Sequence, residues 1–213
     1  MIHERKPSPI MEGITYLANL IILNVLFVLC SIPVITYGAS FSALITVLKT
    51  INTGETAVVK EFFQAFAKQF RQSTPGWLCM MVPGIVMFIE FNLLLQVNRQ
   101  VPDWVYISLL VPTAAYFAIL PWVLLQSAYY YCTLKQRLKN ALLLAVQLLP
   151  QTVVMMIVQI LPVFLFLLRT VDFLRLWPMW LFVYFAGGYS IVERMLHNPM
   201  EHLVKSLLDA DIH

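Results

Sequence analysis

One carboxylate stands out within the apolar stretches of this chain, Glu90 in "PGIVMFIEFNLLLQV". An ionisable group in hydrocarbon is costly and is read by default as a functional candidate. Here it is either a transport or ligand contact, or a structural glutamate served by water or Asn92 near the outer end of its span. Asn24, Gln126 and Gln159 are the other polar candidates within apolar runs. Side chains of this kind either line a path or act as hydrogen-bond glue between helices. Other chemistry lacks its signature. There is no Gly-x-x-x-x-Gly-Lys-Ser/Thr loop to cradle phosphates, no His-Glu-x-x-His pair and no Gly-x-Ser-x-Gly elbow. His3, His197, His202 and His213 are confined to the tails, and Cys30, Cys79 and Cys132 are scattered, which suits neither a disulfide framework nor a zinc site. The expectation is a protein that is not an enzyme, with no catalytic residue, cofactor or metal.

The elements that must position these residues follow from composition. Hydrophobic residues make up 60% of the 213 and charged ones 12%, against about 45–50% and about 25% in soluble domains. The mean hydropathy is +0.78. The apolar residues fall in runs long enough to cross a hydrocarbon layer. The fold class expected is therefore all-α, a polytopic transmembrane helical bundle forming a single domain. A formal charge of +3, distributed among short loops, excludes nucleic acid as a partner and leaves the lipid bilayer as the first one.

Six spans can be drawn, at 14–31, 34–51, 75–97, 104–130, 150–168 and 176–194. The pivotal stretch is "LCSIPVITYGAS". Pro33 suits the first turn of a new helix, with Ser31 as its cap; the alternative is a re-entrant 34–51 and five spans. Basic residues collect on the cytoplasmic side. If 34–51 crosses, the 14 lysines and arginines divide 11 to 3, and if it does not they divide 9 to 5. The uneven division favours six spans with both termini cytoplasmic. Trp77, Trp104, Trp177, Trp180 and Tyr129 to Tyr131 then fall where aromatic belts meet headgroups, and Trp122 lies deeper, as a packing residue.

Two basic amphipathic helices are expected on the cytoplasmic side, at about 55–73 and 134–149, and a third interfacial helix at about 199–210. In the first, Phe62, Phe66 and their neighbours form one face, with Lys60, Lys68 and Arg71 on the other. Such a helix lies in the membrane interface or offers a docking surface to a partner. The blocks 63–81 and 138–156 align at a constant offset that places Pro75 on Pro150 and Met80 and Met81 on Met155 and Met156. That is a candidate parallel repeat of the kind found in transporters.

Four stretches, "LFVLCSIPVITYGASFSAL", "EFFQAFAKQFRQST", "LKNALLLAVQLLPQTV" and "LWPMWLFVYFAGGYS", resemble in order the YesL family of small bacterial integral membrane proteins, whose molecular function is unknown. The resemblance implies residence in the bacterial cytoplasmic membrane and an accessory role beside a binding-protein-dependent oligosaccharide importer, with an ABC-type sugar importer permease as partner. The family supplies no catalytic residues. The matched positions with a structural meaning are Pro33, Gly38, Ser40, Asn140 and Pro150. The alternative expectation is a small secondary transporter or channel with a site near Glu90. A homo-oligomer is compatible with either reading.

Overall fold

The structure, a computed structural model, describes residues 9–51, 57–96, 102–168 and 170–196. All regular elements among them are helical: α1 (Pro9–Ser31), α2 (Tyr37–Ile51), α3 (Val58–Gln96), α4 (Asp103–Leu125), α5 (Leu134–Gln147), α6 (Leu149–Leu168) and the short α7 (Thr170–Arg175). A last helix, α8, begins at Trp177–Met179, widens into a π turn at Trp180–Tyr184 and continues through 185–196. Five segments are long and apolar enough to cross a membrane: Ile10–Ser31, Val34–Ile51, Val58–Leu94, Trp104–Ala128 and Leu149–Phe166. This is a membrane protein of the all-helical class. Apolar side chains such as Ile14, Leu17, Val82, Phe88, Ile107 and Phe164 form its outer surface, as a lipid-facing exterior requires. The expected helix at about 199–210 lies outside the described residues.

The chain turns at Pro33. Helix α1 stops at Ser31, Pro33 adopts an extended conformation, and a single 3-10 turn over Val34–Thr36 starts α2. No side chain caps the start of the new helix, the role the sequence suggests for Ser31; Thr36 instead donates to carbonyls at the end of α1 and in the turn. The Thr36 hydroxyl lies 2.5 Å from the carbonyl of Cys30 and 2.6 Å from that of Pro33, whereas the Ser31 hydroxyl is buried without a partner. Helix α8 lies beside both arms of the hairpin. It runs against α1, with Arg194 over the Tyr16 ring and Asn24 against residues 180–186. It runs with α2, where Phe41 meets Tyr189 edge-on at 4.8 Å.

Residues 58–96 form one helix of 39 residues, where the sequence suggests an interfacial helix followed by a separate span. Pro75 fails to break it. A proline inside a helix leaves the carbonyl four residues earlier, here that of Arg71, without its N–H, and the helix runs on through it; the carbonyls on either side of Arg71 take side-chain donors. Thr74 Oγ1 reaches Phe70 O at 2.6 Å, and Arg137 Nη1 reaches Gln72 O at 2.7 Å. The first half of α3 packs along α2 through Val58, Phe62 and Ala65, all buried. Of its phenylalanine face, Phe62 therefore meets protein, whereas Phe66 and Phe70 are half-buried and Phe63 is exposed. Gly38 makes the approach possible, since a Cβ there would sit 2.7 Å from Trp77 Cβ. At the position aligned with Pro75 by the candidate repeat, the chain does break. Helix α5 ends at Gln147, Leu148 leaves helical conformation, and Pro150 stands in the first turn of α6.

Asn24 holds α8 to α1. Its amide donates to the carbonyls of Trp180 (2.8 Å) and Leu181 (2.6 Å) and its oxygen accepts from the Ala186 N–H (2.7 Å). A π turn interrupts the regular hydrogen-bond ladder of a helix, and one asparagine serves three of the groups affected. Trp180 is thereby drawn into the core at 7% exposure, away from the interfacial belt expected for it. Asn24→Leu keeps the volume and removes all three bonds. It should destabilise the fold by about 2–4 kcal/mol, at about 1 kcal/mol or more for each buried group left unpaired. Thermal unfolding in detergent followed by circular dichroism measures this, and an unchanged midpoint would mean the π turn holds itself.

Candidate functional site

The polar residues of α2 and α3 form a seam between the two helices. Ser42, Thr46 and Thr50 recur every four residues, so they share one face of α2. Gln69 and Ser73 share a face of α3 for the same reason. The helices run antiparallel and the stripes meet. Ser42 Oγ lies 2.7 Å from Ser73 Oγ, Gln69 Nε2 donates to Thr46 Oγ1 at 2.6 Å, and Thr50 Oγ1 donates to Glu61 Oε2 at 2.6 Å. Ser42 also reaches Leu124 O of α4 at 3.1 Å. The seam joins three helices and leaves its hydroxyls occupied.

Charged residues continue it. Lys49 Nζ donates to Ala128 O at 2.7 Å, at the end of the 3-10 turn Gln126–Ala128. It also stands 3.1 Å from the centroid of the Tyr129 ring. A helix end leaves carbonyls in need of donors, and a cation is favoured there; an aromatic face adds a cation–π attraction. The carboxylate of Glu193 on α8, a residue 6% exposed, acts electrostatically on both Lys49 and Tyr129. Arg137 on α5 is 2% exposed and links Gln72 of α3 to the end of α4. Its carbonyl accepts from Gln126 Nε2 at 3.0 Å. Burial pushes the neighbouring Tyr130 phenol up to about 12, so at neutral pH it stays a hydrogen-bond donor, to Gln126 Oε1 at 2.7 Å.

The four polar candidates of the sequence do not converge. Asn24 is fully engaged with α8. Gln126 bonds Trp122 O, Arg137 O and Tyr130. Gln159 stands beside Tyr189 on α8, although its Nε2 and the Tyr189 hydroxyl are both buried without a hydrogen-bond partner in reach. Glu90 is exposed among Phe88, Ile89 and Phe91 on the outer face of α3, and Asn92 bonds Phe88 O of its own helix. A cleft of about 360 Å³ between α3 and α4 is lined by Phe91, Leu94, Tyr106, Ile107, Leu110 and neighbours, without Glu90. Among the described residues no group of His, Cys, Asp and Glu is arranged to hold a metal ion, and the three cysteines are free thiols.

On α3, Lys60, Lys68 and Arg71 are exposed and Phe66 is half-buried, but Phe62 is in the core. Phe62 therefore lies beneath the surface that the sequence assigned to it. Of the positions matched to the family, Pro33 makes the turn, Gly38 the close contact and Pro150 the start of α6. Ser40 is buried with its hydroxyl unpartnered, and Asn140 stands beside the Tyr130 phenol. Residues 20–91 match the profile of a family described as a protein of unknown function, DUF624. No curated protein matches the chain, and no solved structure does.

Sequence reasoning missed Lys49, Arg137 and Glu193 because each lies at the end of an apolar run, where charges normally mark loops. Arg137 was detectable: with Ala141, Leu144 and Ala145 it keeps the spacing of a buried helix face. Lys49→Met and Glu193→Gln should each lower thermal stability. The double variant should lose less than the two single losses combined, by on the order of 1 kcal/mol, because the groups share one buried neighbourhood. Strict additivity in the double-mutant cycle would show that Lys49 is held by Ala128 and Tyr129 alone.

Proposed function

We propose that the protein is a non-enzymatic accessory or assembly subunit of a bacterial carbohydrate uptake system, resident in the cytoplasmic membrane with both termini cytoplasmic. In this reading it is a YesL-type protein whose partner is an ABC-type oligosaccharide importer permease. The observation that carries the partner is the exposed row Lys60, Gln64, Lys68 and Arg71 on the half of α3 locked along α2. Helix α2 is a core helix, and a row of cations fixed on the helix packed along it is favourable against an acidic or polar protein surface. The carbohydrate link rests on the resemblance of the four sequence stretches alone.

The competing reading, a small transporter or channel, needs polar groups converging on a path. Asn24 and Gln126 are instead saturated by internal bonds, and Glu90 faces outward. Purification from native membranes in lipid nanodiscs, followed by mass spectrometry, separates the two. The accessory reading expects an importer permease in fixed ratio, lost several-fold when Lys68 and Arg71 are both changed to Glu. A homo-oligomer without any permease, together with sugar flux in proteoliposomes that falls in Glu90→Gln, would establish the transporter reading in its place.

A further inference from the structure

The two helices that look alike in sequence have different surroundings, and α5 is the one with an uncovered apolar face. Arg137, Ala141, Leu144 and Ala145 are buried. On the opposite side Lys135, Lys139, Leu142 and Val146 fall in one row along the axis, by their spacing, and all four are exposed. Leu142 and Val146 are 53% and 64% exposed, and Leu149 just beyond the helix is 57% exposed. Charge and apolarity are thus separated along the helix, basic at its start and apolar at its end. A helix lying flat in an interface separates them across its circumference.

We propose that α5 is an oblique membrane-entry helix: Lys135 and Lys139 seat on the headgroups of an anionic phospholipid bilayer, and Leu142 to Val146 descend into the acyl layer. From Lys139 to Val146 the helix rises about 10 Å at 1.5 Å per residue, which matches the depth of the headgroup–acyl boundary. A rigid elbow fixes the slope. Leu148 leaves helical conformation (φ −112°, ψ 53°). The Thr152 hydroxyl then lies 3.0 Å from Ala145 O and 2.9 Å from Leu148 O, and accepts from Trp122 Nε1 at 2.9 Å. Beyond the elbow, Val153 and Ile157 of α6 carry the exposed apolar band onward, inside a segment apolar enough to cross a membrane. That continuity is what assigns the face to lipid and not to a second protein. Each lysine near an anionic surface favours the contact by about fivefold. The first half of α3 has no such gradient: its exposed Val59 and Phe63 alternate with Lys60, Gln64 and Lys68.

The test uses the full chain with Cys30, Cys79 and Cys132 changed to Ser, and one new cysteine at a time: Lys135→Cys, Lys139→Cys, Leu142→Cys, Val146→Cys, with Phe164→Cys on α6 as a lipid-facing reference. Each is labelled with an environment-sensitive fluorophore and reconstituted into phosphatidylglycerol–phosphatidylcholine vesicles. Quenching by aqueous iodide should fall stepwise from position 135 to 146, while quenching by spin-labelled acyl chains rises toward that of position 164. In Lys135→Gln/Lys139→Gln with the label at Val146→Cys, acyl-chain quenching should drop when phosphatidylglycerol is present and match the parent in phosphatidylcholine alone. Equal iodide access along the helix, equal acyl quenching along it, or protection from both quenchers would each overturn the oblique lipid contact. A lysine variant indifferent to phosphatidylglycerol would overturn the anionic assignment. None of these readouts depends on an importer partner.

Discussion

The antiparallel contact between α2 and the first half of α3 organises the rest of the molecule. Gly38 lets the two backbones approach, and Ser42–Ser73, Thr46–Gln69 and Thr50–Glu61 fix their register. A slip of one residue would rotate each polar group off its partner and leave it in an apolar interior, where an unpaired group costs more than the bond contributes. With that register set, the carbonyl of Leu124 meets Ser42 and that of Ala128 meets Lys49, which brings in α4. Arg137 then ties α5 to α3 below Pro75. The helices are assembled by specific polar contacts because apolar burial alone gives little direction when the exterior is also apolar.

The same requirement explains the irregular places. A helix facing lipid must satisfy its backbone internally, so each departure from regular geometry needs a side chain to complete it. Asn24 completes the π turn of α8, Thr36 the turn at Pro33, and Thr152 the elbow before α6. These polar residues in the apolar runs are repairs of the backbone and others set the register between helices, so a polar residue there is weak evidence of a substrate path.

Much of the architecture was legible in the sequence. Composition alone gave the all-helical membrane class, and Pro33 with the small residues after it marked the turn between α1 and α2. In the structure a capping box at Thr133–Gln136 starts α5. Pairings over long sequence separations were not legible. Nothing local in Asn24 indicates residues 180–186, and nothing in the amphipathic pattern of 58–74 tells whether its apolar face meets lipid or α2. The split of α3 into two elements failed because Pro75 reads as a helix start, whereas the helix carries on through it. The polar stripes of α2 and α3 were both visible as four-residue spacings; only their meeting was hidden.

Hydropathy has a further ambiguity here, since it measures removal from water and not arrival in lipid. The 34–51 segment is 61% buried inside the protein, against 6–28% for the other four apolar segments. Its apolarity is thus already accounted for by α1, α3 and α8 around it, and its length no longer argues for a crossing. Charge then becomes the independent evidence, but Lys49 and Arg137 are committed to internal carbonyls and say nothing about the side of the membrane. Setting both aside leaves the basic residues divided 9 to 3 if the segment crosses and 7 to 5 if it does not. The asymmetry outlasts the removal of its two buried members. Lys60, Lys68 and Arg71, however, stand on the half of α3 that runs alongside α2, at the segment's own level, so they report no side either, and the segment's composition reports only that it is a core helix.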